Sequence, residues 1–321
     1  MNRSKNSGRT KHTAGGRLPA PVVDVSPYAG FCGGVNRTIQ IIERLKVERP
    51  KTKIYLLGKV VHSEIVLARL KRRGFRTVDD YRQAKDGLLV IQSHGIPAAL
   101  QAEIQASGIE FVDTTCPMVK DIHAKARQLA KDGYRVAVIG DREHEEVRGI
   151  AGQVGNAIIV GSPAEVDPVV FKAIPRAGVV IQSTFIRNRA EPILRKIRRY
   201  VADVKFENTI CKPTADRQRD ARVRASRYAC VIVIGSPTSA NTRNLISIVS
   251  ARNPNTILVN RPEDIDSMNI GSSRKFYVLS GASTPMDVIE QTVVRLQRRI
   301  ERSPGISAGP GLRWMKATHA H

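Results

Sequence analysis

The chain has 321 residues, 41% of them hydrophobic, and its 52 Lys and Arg against 29 Asp and Glu give a net charge of +23. This length and apolar content support a large core, in one unit or in two to three small domains. The sequence has no apolar run near the length of a membrane helix and no apolar leader, so we expect a soluble, cytoplasmic protein without a membrane partner.

Both ends of the chain are basic. Residues 1–21 hold five Lys or Arg and no acid, and residues 302–321 hold three and no acid. This composition predicts a disordered basic tail over 1–21 and a flexible basic tail over 301–321. The body between them keeps a charge of +15, which predicts a surface that attracts an acidic partner.

The first unit of the body alternates short apolar strands with polar loops and helices. The strand PVVDV leads to a turn that contains Cys32 and to the helix TIQIIERL. The strand KIYLLG precedes a loop with His62, and LLVIQ precedes a loop with His94. Strands that alternate with longer helical stretches predict α/β structure with parallel strands. We place this first α/β domain at residues 22–110.

The second unit repeats this order. IEFVD leads to Cys116 and a helix, and RVAVIG precedes a loop with His144 and Glu146. GVVIQ then runs into Ser183 and Thr184. The repeat predicts a second α/β domain over residues 111–205.

The third unit has the same three strands. VKFENTI leads to Cys211, CVIVIG ends at Gly235, and FYVLS runs into the loop GASTP. We place this third α/β domain at residues 206–300. Its turns hold the polar residues Thr214, Ser239, Asn241 and Ser283.

The repeats predict a common site. In parallel α/β sheets, ligands bind at the carboxyl ends of the strands. Pseudo-threefold symmetry would bring Cys32, Cys116 and Cys211 to one axis, with histidines and hydroxyl groups around them. The fourth cysteine, Cys230, lies inside an apolar strand and is assigned to the core.

Three thiolates can hold a metal centre with one open position. No two cysteines form a C-x-x-C pair, which disfavours zinc ribbons and thioredoxin motifs. Zinc with three thiolates and a water remains an option, as does a cubane iron–sulfur cluster with one free iron. The histidines and hydroxyls at strand-to-helix turns fit an anion such as a diphosphate. A buried Glu146 would suit proton donation.

Nine motifs over residues 22–300 occur in a family's order: GFCGGVNR, VVHSEIV, QSHGIP, DTTCPMV, HEEVRGIAGQ, IQSTF, ICKPTADRQ, GSPTSANT and GASTP. With them the chain resembles the 4-hydroxy-3-methylbut-2-enyl diphosphate reductases of the methylerythritol phosphate route to isoprenoids. The resemblance implies three α/β domains around one [4Fe–4S] cluster per chain, with one open iron. It also implies reductive dehydroxylation of an allylic diphosphate to isopentenyl and dimethylallyl diphosphates, with two electrons and two protons.

The resemblance implies roles for individual residues. The cluster ligands are Cys32, Cys116 and Cys211. Glu146 delivers protons and is oriented by the hydroxyl of Ser183, so both are expected to be catalytic. The residues expected at the substrate are His62, His94, His144, Ser183, Thr184, Thr214, Ser239, Ala240, Asn241 and Ser283.

Four positions depart from the residues that are usual in the family. Ser183 stands for a threonine. Ala240 replaces the second of two serines, which removes a hydrogen bond of order ~1 kcal/mol. Glu145 replaces a proline and is expected to loosen the loop of Glu146. Asp216 places a negative charge where an amide is usual.

The electrons have to come from another protein, because the chain has no G-x-G-x-x-G dinucleotide motif. Ferredoxins and flavodoxins are typically acidic, and the basic body fits either as the donor. Charge alone also suits a nucleic-acid-binding protein, but only 5% of residues are aromatic and no RNP motif occurs, so no nucleic acid is expected. Two enzyme alternatives stay open: a zinc hydrolase of a phosphorylated metabolite, and a family paralogue with another allylic diphosphate or a redox-sensing role.

Overall fold

The computed structural model describes residues 20–271, 273–302 and 311–317. Within these residues strands and helices alternate along the chain. The strands are β1 (Val22–Val25), β2 (Lys53–Leu57), β3 (Arg76–Val78), β4 (Gly87–Ile91), β5 (Phe111–Asp113), β6 (Arg135–Ile139), β7 (Ile158–Val160), β8 (Arg176–Ile181), β9 (Asp203–Phe206), β10 (Cys230–Ile234), β11 (Thr256–Val259), β12 (Lys275–Ser280) and β13 (Gly311–Trp314).

The helices follow most of these strands. They are α1 (Gly33–Glu48), α2 (Glu64–Arg72), α3 (Ala98–Ala106), α4 (Pro117–Lys131), α5 (Glu145–Ala151), α6 (Pro168–Lys172), α7 (Arg187–Ile197), α8 (Lys212–Arg224), α9 (Ala240–Ser250) and α10 (Met286–Glu301). Short 3₁₀ helices lie at Tyr81–Ala84, Pro163–Glu165, Ala225–Arg227 and Pro262–Asp266.

The strands form three sheets with one repeated order. The first sheet is β3-β2-β4-β5, the second is β7-β6-β8-β9, and the third is β11-β10-β12-β1 with β13 added beside β1. Every strand pair among the described residues is parallel. The predicted α/β class with parallel sheets is confirmed.

Sheet membership differs from the predicted units at three strands. β9, which the sequence analysis placed at the start of the third unit, pairs with β8 of the second sheet. β5 was expected in the second domain but pairs with β4 of the first sheet. β1 was expected in the first domain but pairs with β12, so the two ends of the body share the third sheet. The reason is that a repeated pattern does not reveal at which strand each structural repeat begins. The remainder of the domain division stays a prediction.

Apolar clusters cover both faces of each sheet. In β4, Leu88 and Val90 pack into one cluster, while Leu89 and Ile91 pack into another. Successive side chains of a strand point to opposite faces, so two clusters mean that both faces are covered. Cys230 is 1% exposed and packs in such a cluster on β10, as the sequence predicted for it.

The structure differs from the predicted flexible tail over 301–321, because residues 311–314 form β13 on the free edge of β1. Arg313 donates to both carboxylate oxygens of Asp24, at 2.6 and 2.8 Å. Asp24 is 1% exposed and also accepts from the hydroxyl of Tyr228 at 2.7 Å. Residues 1–19, which make up nearly all of the predicted N-terminal tail, lie outside the described residues, as do residues 303–310 and 318–321 of the predicted C-terminal tail.

In the described part of the chain, no helix combines the length and the apolar character that crossing a membrane requires.

Candidate active site

Three helices begin directly after a cysteine. Cys32 caps α1, Cys116 caps α4 and Cys211 caps α8. The backbone N–H of each cysteine donates to the loop that follows the third strand of a repeat, at 3.0, 2.9 and 3.0 Å, and the acceptors are the carbonyls of Ala282, Ser93 and Ser183, respectively. One contact made three times thus brings three helix N-termini around one cavity.

This cavity has an empty volume of about 660 Å³, part of it open to solvent. All three cysteines line it. It is also lined by the predicted residues His62, His94, His144, Glu146, Thr184, Thr214, Ser239, Ala240, Asn241 and Ser283. Ser183 is outside the lining and lies behind Glu146. The structure therefore brings nearly all the predicted site residues together, while their chemical roles stay predictions.

The three thiols fit an iron–sulfur cluster. Burial raises the pKa of Cys116 and of Cys211, so both remain thiols unless a positive centre is close. A metal core supplies that charge and binds thiolates. Gly34 keeps the space clear, because a Cβ there would lie 2.6 Å from Cys116 Sγ and 4.0 Å from Cys32 Sγ.

The three histidines form a cluster, with ring centroids 4.4, 5.0 and 5.5 Å apart. His144 Nδ1 accepts the backbone N–H of Glu146 at 3.2 Å, so Nε2 carries the proton of the neutral ring. Burial, followed by the proximity of His62, lowers the pKa of His144 to about 4. Burial also lowers the pKa of His94. Neutral rings that present N–H groups suit an anionic ligand.

A metal site at this end of the cavity is disfavoured. His62, His144 and Glu145 offer ligand atoms within 4.8 Å of one another, and two histidines with one carboxylate can bind a transition metal. On His144, however, one nitrogen accepts the Glu146 amide and the other carries the proton. Neither nitrogen has a free lone pair, so the arrangement favours an anion over a cation.

Asn241 presents an unused amide to the cavity. It is 3% exposed, and neither its Oδ1 nor its Nδ2 has a hydrogen-bond partner within the described ranges. Nδ1 of His94 is also buried without a hydrogen-bond partner among the described residues. Buried polar atoms are nearly always paired, so these atoms are available to a polar ligand.

Glu146 is a buried carboxyl group held by one residue. It is 2% exposed, and its two oxygens accept from the backbone N–H of Ser183 at 2.6 Å and from the Ser183 hydroxyl at 2.8 Å. Burial raises its pKa despite these two hydrogen bonds. A carboxyl group that keeps its proton nearer to neutral pH is suited to donate it.

Three of the residues that are unusual for the family, Glu145, Asp216 and Ala240, lie in different places relative to the cavity. Glu145 is the first residue of α5, and its carboxylate approaches His62. Asp216 is outside the cavity lining and pairs with Lys212 at 2.9 Å and Arg219 at 3.2 Å. Ala240 begins α9 and lines the cavity beside the capping residue Ser239.

Sequence reasoning did not single out Arg217, although it lies in the quoted motif ICKPTADRQ. It is 5% exposed, and it donates to the carbonyls of Gly30 at 2.8 Å and Pro213 at 3.1 Å. Burial lowers its pKa, while the nearby Cys32 and Cys211 act in the opposite direction. Arg217 therefore joins α8, which Cys211 caps, to the loop that carries Cys32, and it brings a cation near both of these thiols.

Comparisons with known proteins agree with this geometry. The profile of the LytB protein family matches residues 23–297. The 4-hydroxy-3-methylbut-2-enyl diphosphate reductase of Geobacter metallireducens is 33% identical over 270 residues, which cover 84% of this chain and 94% of the relative. The enzyme of the same name from Aquifex aeolicus is 31% identical over 281 residues, 86% of this chain and 96% of the relative.

Solved structures give the same result. The E-1-hydroxy-2-methyl-but-2-enyl-4-diphosphate reductase of Plasmodium falciparum superposes with a TM-score of 0.85 at 26% identity, over 94% of each chain. A structure described as (E)-4-hydroxy-3-methyl-but-2-enyl diphosphate reductase, the terminal enzyme of the non-mevalonate pathway, gives a TM-score of 0.65 at 31% identity. That match covers 86% of this chain and all of the other. This chain belongs to the LytB family.

Proposed function

We propose that the chain is a 4-hydroxy-3-methylbut-2-enyl diphosphate reductase. It removes the hydroxyl group of (E)-4-hydroxy-3-methylbut-2-enyl diphosphate as water and forms isopentenyl and dimethylallyl diphosphates. The observation that carries the proposal is the meeting of three cysteines from three repeats in one cavity with a buried glutamate and a histidine cluster. The family membership of the chain supports it independently.

Cys32, Cys116 and Cys211 hold one [4Fe–4S] cluster per chain in this proposal. When bound, such a cluster supplies electrons and leaves one iron without a protein ligand, which acts as a Lewis acid. The support is the donor set itself: three sulfurs at three helix starts, with space kept clear by Gly34. The guanidinium of Arg217 offsets part of the negative charge that three thiolates bring.

The diphosphate binds at the other side of the cavity. The ring N–H of His144 donates to its oxygens, and the free amide of Asn241 is positioned to do the same. The helices α5 and α9 begin in the same region, since their capping residues His144 and Ser239 line the cavity, and the positive ends of the helix dipoles favour an anion there. The remaining polar contacts to the diphosphate come from His62, His94, Ser239 and Ser283, and Ala240 contributes only its methyl group. Thr184 and Thr214 line the substrate cavity, where Thr214 lies beside Cys211.

Glu146 supplies a proton to the departing hydroxyl group. Hydroxide is a poor leaving group, so protonation lets the oxygen leave as water when the C–O bond breaks. Ser183 holds both oxygens of the carboxyl group and thereby fixes the direction of transfer. Two electrons and a second proton complete the reaction, the second proton adding to carbon at either end of the allylic group.

The electrons come from an acidic ferredoxin or flavodoxin in the cytoplasm. The support for this partner is the excess of basic residues in the chain, with a net charge of +23. Opposite charges speed the encounter of two proteins, and salt screens this effect.

The first test is metal analysis after anaerobic reconstitution. It compares the unchanged protein with variants in which one cysteine at a time is replaced by alanine. The unchanged protein is expected to be brown and to hold about four iron atoms per chain. Cys32→Ala, Cys116→Ala and Cys211→Ala are each expected to lose most of the iron. Cys230→Ala is the matched control, because Cys230 is a core residue away from the cavity, and it is expected to keep the iron.

Turnover is then measured under argon with reduced methyl viologen and the hydroxylated diphosphate. Glu146→Gln is expected to lose turnover while it keeps the iron content and the visible spectrum of the unchanged protein. A colourless protein with stoichiometric zinc would contradict the proposal and favour a hydrolase. Retained turnover in Glu146→Gln would remove Glu146 from its role.

A further inference from the structure

Glu145 places a carboxylate at the edge of the histidine cluster. Its Oε2 lies 3.0 Å from Nε2 of His62, a distance typical of an ion pair, but without the alignment of a linear hydrogen bond. The side chain of Glu145 is 31% exposed, and that of His62 is 12% exposed. Glu145 does not line the cavity, whereas His62 does. The carboxylate therefore reaches His62 from the rim of the site.

The charges around this contact work against an incoming anion. Burial alone would raise the pKa of Glu145, but the contact with His62 outweighs it and holds the pKa at about 2. The carboxylate is thus ionised near neutral pH. Burial keeps His94 and His144 neutral there. The cavity lining contains no Lys or Arg, so the ionised group in contact with the histidine cluster carries a negative charge.

We propose that Glu145 is a specificity-determining residue that competes with the diphosphate of the ligand for His62. The inference rests on the proposed function, since it takes the histidine cluster as the diphosphate site. The Glu145 carboxylate and a phosphate oxygen are both attracted to the same ring nitrogen of His62, so His62 has to leave the carboxylate in order to donate its N–H to the phosphate. The displaced carboxylate stays on the rim and repels the ligand.

The consequence is weaker retention of every diphosphate that enters. The substrate and both products carry the same diphosphate group, so a site that bound it too firmly would release product slowly. Glu145 lowers the affinity for all three without contacting the carbon that reacts. Its removal should therefore strengthen binding in the ground state, which changes KM more than kcat.

The alternative is that Glu145 assists diphosphate binding, and it predicts the opposite change in affinity when Glu145 is replaced. A carboxylate next to a histidine can also orient the ring and strengthen its N–H as a donor, as carboxylates do for metal-bound histidines. In that case Glu145 assists the diphosphate, and its removal weakens binding. The sign of the change in affinity separates the two roles.

The experiment is calorimetric titration of the reconstituted enzyme with inorganic pyrophosphate, under argon, at constant ionic strength near neutral pH. Glu145→Gln keeps the shape of the side chain and removes its charge. Glu143→Gln is the matched control, because Glu143 is an exposed acid two positions earlier, in the loop that leads into α5. Glu145→Gln is expected to bind pyrophosphate at least about tenfold more tightly, and Glu143→Gln within about twofold of the unchanged enzyme.

Steady-state turnover with the hydroxylated diphosphate gives a second readout. Glu145→Gln is expected to lower KM while kcat does not rise. If the unchanged enzyme binds pyrophosphate and Glu145→Gln binds it equally or more weakly, the competing role of Glu145 is wrong and the proposed function stands. If none of the three proteins binds pyrophosphate, the diphosphate site fails together with the inference.

Discussion

Glu146 and Ser183 show how a single pair of residues can set both the charge and the orientation of a carboxyl group, which is the proton donor in the proposed function. Burial raises the pKa of Glu146, and a carboxyl group without polar contacts would also be free to rotate. Ser183 removes that freedom, because its amide and its hydroxyl engage one oxygen each. The hydroxyl can donate to the carboxylate and accept from the protonated acid, so the contact persists through proton transfer.

Ser183→Ala should therefore separate orientation from acidity. The variant loses the hydroxyl contact of about 1–2 kcal/mol but keeps the backbone contact, so we expect kcat to fall about tenfold. Ser183→Thr restores a hydroxyl at the same position and should keep most of the activity. The measurement is turnover with reduced methyl viologen at equal iron content. Equal activity of the Ala and Thr variants would mean that the backbone N–H alone orients Glu146.

At the scale of elements, the site depends on where three helices begin. The first turn of a helix has free N–H groups and the positive end of its dipole, and both favour a thiolate. Cys32, Cys116 and Cys211 occupy this position in α1, α4 and α8. Two of these helices open with a proline in the first turn, where the missing N–H costs no helical bond. The helix α1 opens instead with Gly33 and Gly34.

The two glycines of α1 should differ sharply in their tolerance of a methyl group. A Cβ on Gly34 would lie 2.6 Å from Cys116 Sγ, whereas a Cβ on Gly33 would meet no atom within 4 Å. Gly34→Ala is expected to hold much less iron and sulfide after reconstitution than the unchanged protein. Gly33→Ala is the control and should keep both.

Thermal unfolding distinguishes a blocked site from a damaged helix. Alanine is a better helix former than glycine by about 1 kcal/mol in a helix interior, so neither variant should lose helical structure. Full iron content in Gly34→Ala would show that the space beside Cys116 is not needed by the cluster.

Features that depend on neighbouring residues in the sequence could be predicted, whereas contacts between distant residues could not. The strands are covered on both faces, so they read as continuous apolar runs such as Leu88–Ile91. Parallel order then placed the polar loops at one end of each sheet, which is why the cysteines and histidines could be predicted to meet. The contact between Glu145 and His62 has no local signal, because it joins the start of α5 to a loop of the first repeat. The position of Ser183 behind Glu146, outside the cavity lining, depends in the same way on side-chain packing.

At the scale of the whole molecule, the three sheets are linked in a ring. β5 and β9 each add to the sheet formed by the strands before them in the chain, and β1 adds to the third sheet, which closes the ring. β13 then covers the edge of β1 and places Arg313 on Asp24, 289 positions away. No sequence pattern connects positions so far apart. Three basic residues without an acid over 302–321 therefore predicted a tail, whereas residues 311–314 form a strand.

The contact between Arg313 and Asp24 makes the C-terminal segment part of the third sheet, and this can be tested by coupling two changes. Asp24 is nearly inaccessible, and Arg313 holds its pKa below the usual value despite burial. Removing residues 303–321 leaves that carboxylate with the hydroxyl of Tyr228 and a weaker influence from Lys275. We expect the urea midpoint of the shortened protein to fall, because a buried charge loses its main partner. Asp24→Asn should then destabilise the full chain more than the shortened one, since only the full chain loses the ion pair.

The matched control is Asp79→Asn, an exposed acid whose change should cost little in either protein. An equal cost of Asp24→Asn in both proteins would mean that β13 adds nothing through Arg313, and unchanged iron content would confirm that the cysteine site is independent of this edge.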